Sequence, residues 1–279
     1  MKIFYSMVII LLLLGACQTT EKTAMNEEET DRESNREVTE VEEKDTTKEE
    51  EPEKEKSKEE NNEEKYEINK ANWTLEPIKE QTGENTSKVL LTIDDAPDQH
   101  SVAMAKMLAE EEVPAIFFVN GHFLKDEEGK KQLKEIAELG FEIGNHTMNH
   151  SNLNELTEKE TEQEIITLND TIEGITGVRP VFFRAPFGVN TDVSKQILKE
   201  EDMVWMNWTY GYDWEDQYMD AEALADIMVN TELLQNGANL LMHDREWTKN
   251  ALPSIIEGFR EKDYEFIDPD QIERKEDED

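Results

Sequence analysis

A chain of 279 residues with 67 acidic and 29 basic side chains carries a formal net charge of −38. That balance excludes nucleic acid and an anionic lipid surface as partners of its folded part, since both are bound through basic patches. The single cysteine excludes an internal disulfide, so stability must come from a hydrophobic core.

At the N-terminus, Lys2 precedes an uninterrupted apolar run over residues 7–14. The run is far shorter than the roughly 20 residues of a membrane-spanning helix and fits the hydrophobic core of a secretory signal. Gly15 and Ala16 then lead into Cys17, and the segment L-G-A-C resembles the bacterial lipobox. The resemblance implies that residues 1–17 are a lipoprotein signal and that Cys17 becomes the lipidated N-terminus. The protein is then expected on the extracellular face of the cell membrane, held there by lipid. Residues 18–70 contain stretches such as K-E-E-E-P-E-K-E-K-S-K-E-E with almost no large apolar residue. Such a segment cannot bury enough surface to offset its ordering entropy and is expected to act as a disordered, self-repelling spacer. Residues 71–279 remain, enough for one domain with a substantial core.

Within that domain short apolar runs alternate with amphipathic ones. Strands are predicted at 89–94, 115–120, 141–145, 181–184, 203–208, 239–243 and 264–267. Helical spacing covers 102–111, 131–139, 158–176, 192–200, 221–235 and 251–262. Gly140, Gly177 and Gly237 fall where helices should end. Repeated strand–helix alternation predicts a parallel sheet covered by helices, satisfied by a closed or nearly closed barrel or by an open doubly wound sheet. Either way, chemistry belongs at the C-terminal ends of the strands.

The polar residues fall there. The first of these strands ends L-L-T-I-D-D-A-P, placing Asp94 and Asp95 side by side; capping before Pro97 is the plain alternative. The third ends G-N-H-T-M-N-H, with His146 and His150 at a spacing common in metal sites. Two imidazoles and one carboxylate form a three-residue ligand set with positions open for water or substrate. Arg184 ends the fourth strand, Asp213 and Trp214 follow the fifth, and His243 ends the sixth. A metal, a carboxylate, an arginine and a carboxylate-supported histidine suffice for metal-assisted hydrolysis.

In order, the chain reads T-I-D-D-A-P, H-T-M-N-H, R-A-P-F-G, D-W and L-L-M-H. These segments resemble the ordered motifs of the polysaccharide deacetylases, the carbohydrate esterases of family 4 with a NodB-type domain. Ile93 and Ala96 depart from that family's usual Phe and Gly. The resemblance implies a (β/α) barrel of about seven parallel strands, irregular or incompletely closed. It further implies that Asp95, His146 and His150 hold a divalent metal, zinc by ligand type, with cobalt, nickel or copper as substitutes. Asp94 is then the general base on the attacking water, oriented by Arg184. His243, held charged by Asp213, is the acid that protonates the leaving amine. Phe187 offers a backbone N–H to the oxyanion, and Trp214 and Leu241 line the acetyl group, unless they are core residues. The expected substrate is an N-acetylhexosamine polymer of the cell envelope, peptidoglycan foremost, acted on by a monomer. Chitooligosaccharide, poly-N-acetylglucosamine and acetylated xylan are the alternatives. An inactive carbohydrate-binding domain, or a structural lipoprotein whose acidic spacer is the functional part, are the rival classes.

Overall fold

The computed structural model describes residues 65–79 and 86–274. The predicted signal, Cys17 and most of the predicted spacer lie outside the described residues. Two short strands, β1 (Tyr66–Ile68) and β2 (Leu75–Pro77), pair antiparallel as a hairpin. There follow β3 (Ser87–Ala96), α1 (Ser101–Glu110), β4 (Ile116–Val119), α2 (Glu127–Glu138), β5 (Glu142–Asn145), α3 (Glu158–Thr176) and β6 (Phe182–Phe183). The chain continues through α4 (Asp192–Glu200), β7 (Val204–Trp205), α5 (Ala221–Asn230), β8 (Ala238–His243), α6 (Glu246–Glu261) and β9 (Tyr264–Phe266).

Strands β3 to β9 form one parallel sheet in the order β7-β6-β5-β4-β3-β8, with β9 paired to the start of β3. It is an incompletely closed barrel. Across the gap between its edges, one isolated bridge joins Tyr210 to Leu240.

The period-2 alternation of β3 divides the core. Val89, Leu91 and Ile93 pack outward with Met104 and Leu108 of α1 and Leu252 and Ile255 of α6. Leu90 instead joins Ile116, Phe118, Phe182, Val204 and Met206 inside the curl. A third cluster puts Ile165 and Leu198 against Phe183. Each fully buried Leu, Ile or Phe side chain is worth about 1.5–3 kcal/mol, so these clusters hold the frame on which the strand ends are mounted. The same face of β3 that carries Leu90 carries Thr92 and Asp94 toward the C-terminal rim. Tyr66 and Leu75 of the hairpin, with Ile267 and Ile272, join the interior cluster.

Helix ends follow local chemistry. Thr157 and Glu160 form a reciprocal capping box on α3, which ends at Gly177 with φ 81°. Thr191 and Ser194 cap α4 in the same way.

Several boundaries differ from expectation, α2 beginning at Glu127 rather than 131 among them. Helix α5 stops at Asn230 rather than 235, because Thr231 turns to extended backbone. Gly237 therefore ends no helix; it sits at φ 78° before β8, where a Cβ would lie 2.0 Å from the Leu75 carbonyl oxygen. It admits the hairpin, whose Leu75 N–H donates to the Gly237 carbonyl at 2.8 Å. Helix α6 starts at Glu246 rather than 251, because its first turn carries one large apolar residue, Trp247, and no repeating stripe to read. At the other end, β1 lies within the segment expected to be spacer, and its Tyr66 is buried.

Candidate active site

Every predicted catalytic and metal-ligating residue comes from the C-terminal end of a strand or the loop after it. Together they line one pocket of about 530 Å³ or, for Arg184, lie directly beneath it. Asp94 is buried near the end of β3. Its Oδ1 accepts a 2.8 Å hydrogen bond from Nη1 of Arg184, which also donates to Thr92 Oγ1 at 2.6 Å. Nη2 of Arg184 donates to the Asn207 carbonyl at 3.0 Å and to Asn239 Oδ1 at 3.2 Å, and the guanidinium stacks 4.3 Å from the Phe118 ring. A fully buried charge is tolerable only with such partners. Arg184 thus fixes one oxygen of Asp94 and leaves Oδ2 on the pocket side, 3.6 Å from His146 Nε2.

The backbone turns sharply at Asp95, where φ is 61°. That position, not Ala96, carries the left-handed strain in this loop, so Ala96 needs no glycine-like freedom. The turn sends Asp95 toward the histidines, with Oδ1 3.7 Å from His150 Nε2.

The histidines ride on a loop after β5 that side chains overdetermine. Asn145 Oδ1 accepts from the Thr147 N–H at 2.8 Å, and Thr147 Oγ1 accepts from the His150 N–H at 3.1 Å. Glu164 of α3 clamps both the backbone and the side chain of Asn149, at 2.7 and 2.8 Å. These bonds hold Thr147 and His150 at positive φ, 66° and 57°, a strain that persists only where surroundings enforce it. His146 is buried, and its Nδ1 donates to the Arg184 carbonyl at 2.7 Å, so the lone pair is on Nε2, facing the acids.

One ligand atom each from Asp95, His146 and His150 lies within 4.8 Å of the others. Burial pushes the His146 pKa down, so it stays neutral and able to ligate. Burial alone would raise the Asp95 carboxyl, but the charges around it, Arg245 among them, outweigh burial and lower its pKa. A neutral imidazole with its Nε2 free, a second imidazole and an ionised carboxylate fit one divalent cation with coordination positions to spare.

Across the pocket, Asp213 is buried and serves His243. Its Oδ1 accepts from His243 Nδ1 at 2.7 Å and its Oδ2 from the His243 backbone N–H at 2.6 Å. Thr248 Oγ1 donates to the same Oδ2 at 2.7 Å, and Trp247 Nε1 donates to the Asp213 carbonyl at 2.8 Å. Burial would lower the His243 pKa, but Asp213 outweighs it, with help from Asp94 and Asp95, and the imidazole titrates above its ordinary value. Its Nε2 is left to give a proton to a group in the pocket.

Phe187 sits at φ 59° in the R-A-P-F-G turn, with its exposed ring 5.0 Å from that of His150. Trp214 is 43% exposed, so it is a pocket wall rather than core, and its ring lies 5.5 Å from that of His243. Leu241 is buried at the pocket floor. Residue reading missed Trp208, Met219, Trp247 and Arg245, which line the same pocket. The late start assigned to α6 hid Trp247 and Thr248, and Arg245, a lone arginine after L-M-H-D, carries no pattern of its own.

Comparison with known proteins agrees with this geometry. The polysaccharide deacetylase family model matches residues 81–206. A chitooligosaccharide deacetylase of Rhizobium leguminosarum bv. phaseoli is 32% identical over 200 residues, which are 64% of this chain and 84% of that protein. Peptidoglycan-N-acetylmuramic acid deacetylase PdaC of Bacillus subtilis is 30% identical over 70% of this chain and 41% of its own length. The solved structure of that deacetylase superposes with a TM-score of 0.60 at 27% identity, covering 67% of this chain and 90% of that one. YlxY of Bacillus subtilis is 30% identical over 165 residues, and the chain spans about half of it, 49%.

Proposed function

Because this chain belongs to the polysaccharide deacetylase family, we propose that it removes N-acetyl groups hydrolytically from hexosamine units of an extracellular polysaccharide, peptidoglycan first among them. The observation that carries the reading is the meeting, in one pocket, of Asp94 tied to Arg184, His243 tied to Asp213, and the Asp95–His146–His150 triad. A divalent cation on that triad, zinc by ligand type, would polarise the acetyl carbonyl and make water a better nucleophile at neutral pH.

The protein's own part follows from the hydrogen bonds. Asp94, its Oδ1 held by Arg184, takes the proton of the attacking water on Oδ2. The backbone N–H of Phe187, in a turn that lines the pocket, would donate to the developing oxyanion. His243 delivers the proton from Nε2 to the leaving nitrogen, and Asp213 compensates the imidazolium before that transfer. Trp214 and Leu241 hold the acetyl methyl out of water. Peptidoglycan is favoured because the named relative PdaC acts on it and because a lipid anchor at Cys17 with an acidic spacer would suit a polymer beside the membrane. The test is mass spectrometry of peptidoglycan and chitooligosaccharide digests after incubation with the zinc-loaded protein. A 42-Da loss of acetyl (about the mass of ketene, as for any amide deacetylation) from muropeptides supports the reading. Loss only from chitooligosaccharides moves the substrate, and loss from neither refutes the activity.

A further inference from the structure

Three carboxylates face the pocket, and each has its own cation. Asp94 has Arg184 and Asp213 has His243, as above. Asp95 has Arg245, whose Nη2 donates to Oδ2 at 2.8 Å. Arg245 is the one lysine or arginine lining the pocket among the described residues. It is held at its other end as well, since Nη1 donates to the Asp244 carbonyl at 2.8 Å.

Asp244 is itself anchored. Its N–H donates to the Asp94 carbonyl at 3.0 Å, and its buried carboxylate accepts from the backbone N–H groups of Asp98, His100 and Ser101 at 2.9, 2.7 and 2.8 Å. The segment after β8 therefore grips the β3–α1 loop twice. Asp244 fixes the loop's backbone, and Arg245 fixes the carboxylate that the loop presents.

Oδ1 of Asp95 points to His150 while Oδ2 is taken by the guanidinium. A free carboxylate can ligate through both oxygens, whereas one whose second oxygen accepts a charge-assisted bond from arginine offers only the first. We propose that Arg245 is a positioning residue that restricts Asp95 to one ligating oxygen, keeping a coordination position open for substrate at some expense of metal affinity. This rests on the assignment of Asp95, His146 and His150 as ligands. Its physical basis is that a guanidinium cannot deprotonate and repels a divalent cation bound to the same carboxylate.

The sign of the effect separates this role from a merely structural one, because losing a structural support weakens metal binding. The full chain, stripped by chelation, is titrated with Zn²⁺ against a competing chromophoric chelator, and with Co²⁺ by visible absorption. Arg245→Gln is expected to bind Zn²⁺ more tightly, on the order of tenfold. Its Co²⁺ band should weaken as coordination number rises, and kcat should fall by a similar factor with KM changed less. Arg245→Lys restores the charge without the planar fork, so its Zn²⁺ affinity should return toward that of the wild type. Equal or weaker Zn²⁺ binding by Arg245→Gln overturns the proposal, as does an unchanged cobalt spectrum. A wild-type chain that binds neither ion overturns the ligand assignment and this proposal with it.

Discussion

Asp94 and Asp95 are neighbours in the chain with different chemistry because the backbone turns between them. Asp94 continues the interior face of β3 and meets Arg184, whereas positive φ at Asp95 swings it to the histidines. Their conservative variants should therefore fail differently. Asp94→Asn keeps the shape and the metal ligands, so metal content should hold while turnover drops on the order of 10²-fold or more. Asp95→Asn removes the anionic ligand, so metal content should drop and excess metal should recover part of the rate. Metal analysis beside kcat decides, and loss of metal from Asp94→Asn alone would reverse the two roles. The His243–Asp213 pair is tested by pH. On the proposed mechanism His243 must be protonated, so activity should be present below its raised pKa and lost as pH climbs through it. In Asp213→Asn burial dominates and lowers that pKa, so the alkaline limb of kcat/KM should move to lower pH. A limb that stays in place would assign it to another group. These residues were legible in the sequence because their chemistry is uncommon at strand ends. Arg245 was not, since a lone arginine after a histidine carries no pattern until the fold brings Asp95 beside it.

At the scale of elements, β5 opens with a carboxyl in an awkward place. Glu142 lies against the turn after β9, where burial first, and then Asp270 and Asp268, push its pKa up to about 7 despite the ion pair with Arg274 at 3.8 Å. A carboxyl raised on folding is favourable when protonated, so its contribution is complete below about pH 4.3 and is lost as pH rises to 7. Glu142→Gln should thus raise stability by about 2 kcal/mol at pH 8 and change it little at pH 4. Denaturant unfolding at the two pH values measures this, and an equal change at both would mean that charge is not the cause. The core of this sheet was readable because β3, β4 and β8 are near-continuous apolar runs, as buried parallel strands are. The strands β6 and β7 are two residues each and were expected to be longer, because the flanking Val181 and Met206 also pack on the core and each share a single backbone hydrogen bond with the neighbouring strand. The hairpin of β1 and β2 was invisible. Its strands are three residues long, and Tyr66 is a single apolar residue at the end of a charged tract.

For the whole molecule, charge and tethering belong to one argument. The net charge of −38 disfavours close approach to an anionic bilayer, so a lipid on Cys17 would have to hold the domain against that repulsion. The acidic tract between them would then serve as a standoff. Cys17→Ser should release the protein from membranes into the soluble fraction with its activity on soluble chitooligosaccharide intact. Two deletions then separate tether from fold. Removing residues 18–64 leaves β1 in place, so thermal stability and activity on soluble substrate should match the intact chain, while activity on the cell-wall polymer falls because the domain is held too close. Removing residues 18–70 takes Tyr66 and the hairpin's first strand from the interior cluster. Loss of a buried aromatic side chain costs about 3–5 kcal/mol, so this deletion should unfold at a clearly lower temperature. Thermal unfolding of both deletions and turnover on both substrates make the test. Equal stability of the two would place the fold boundary after residue 70, and full polymer activity in the shorter deletion would mean that the acidic tract is not a spacer.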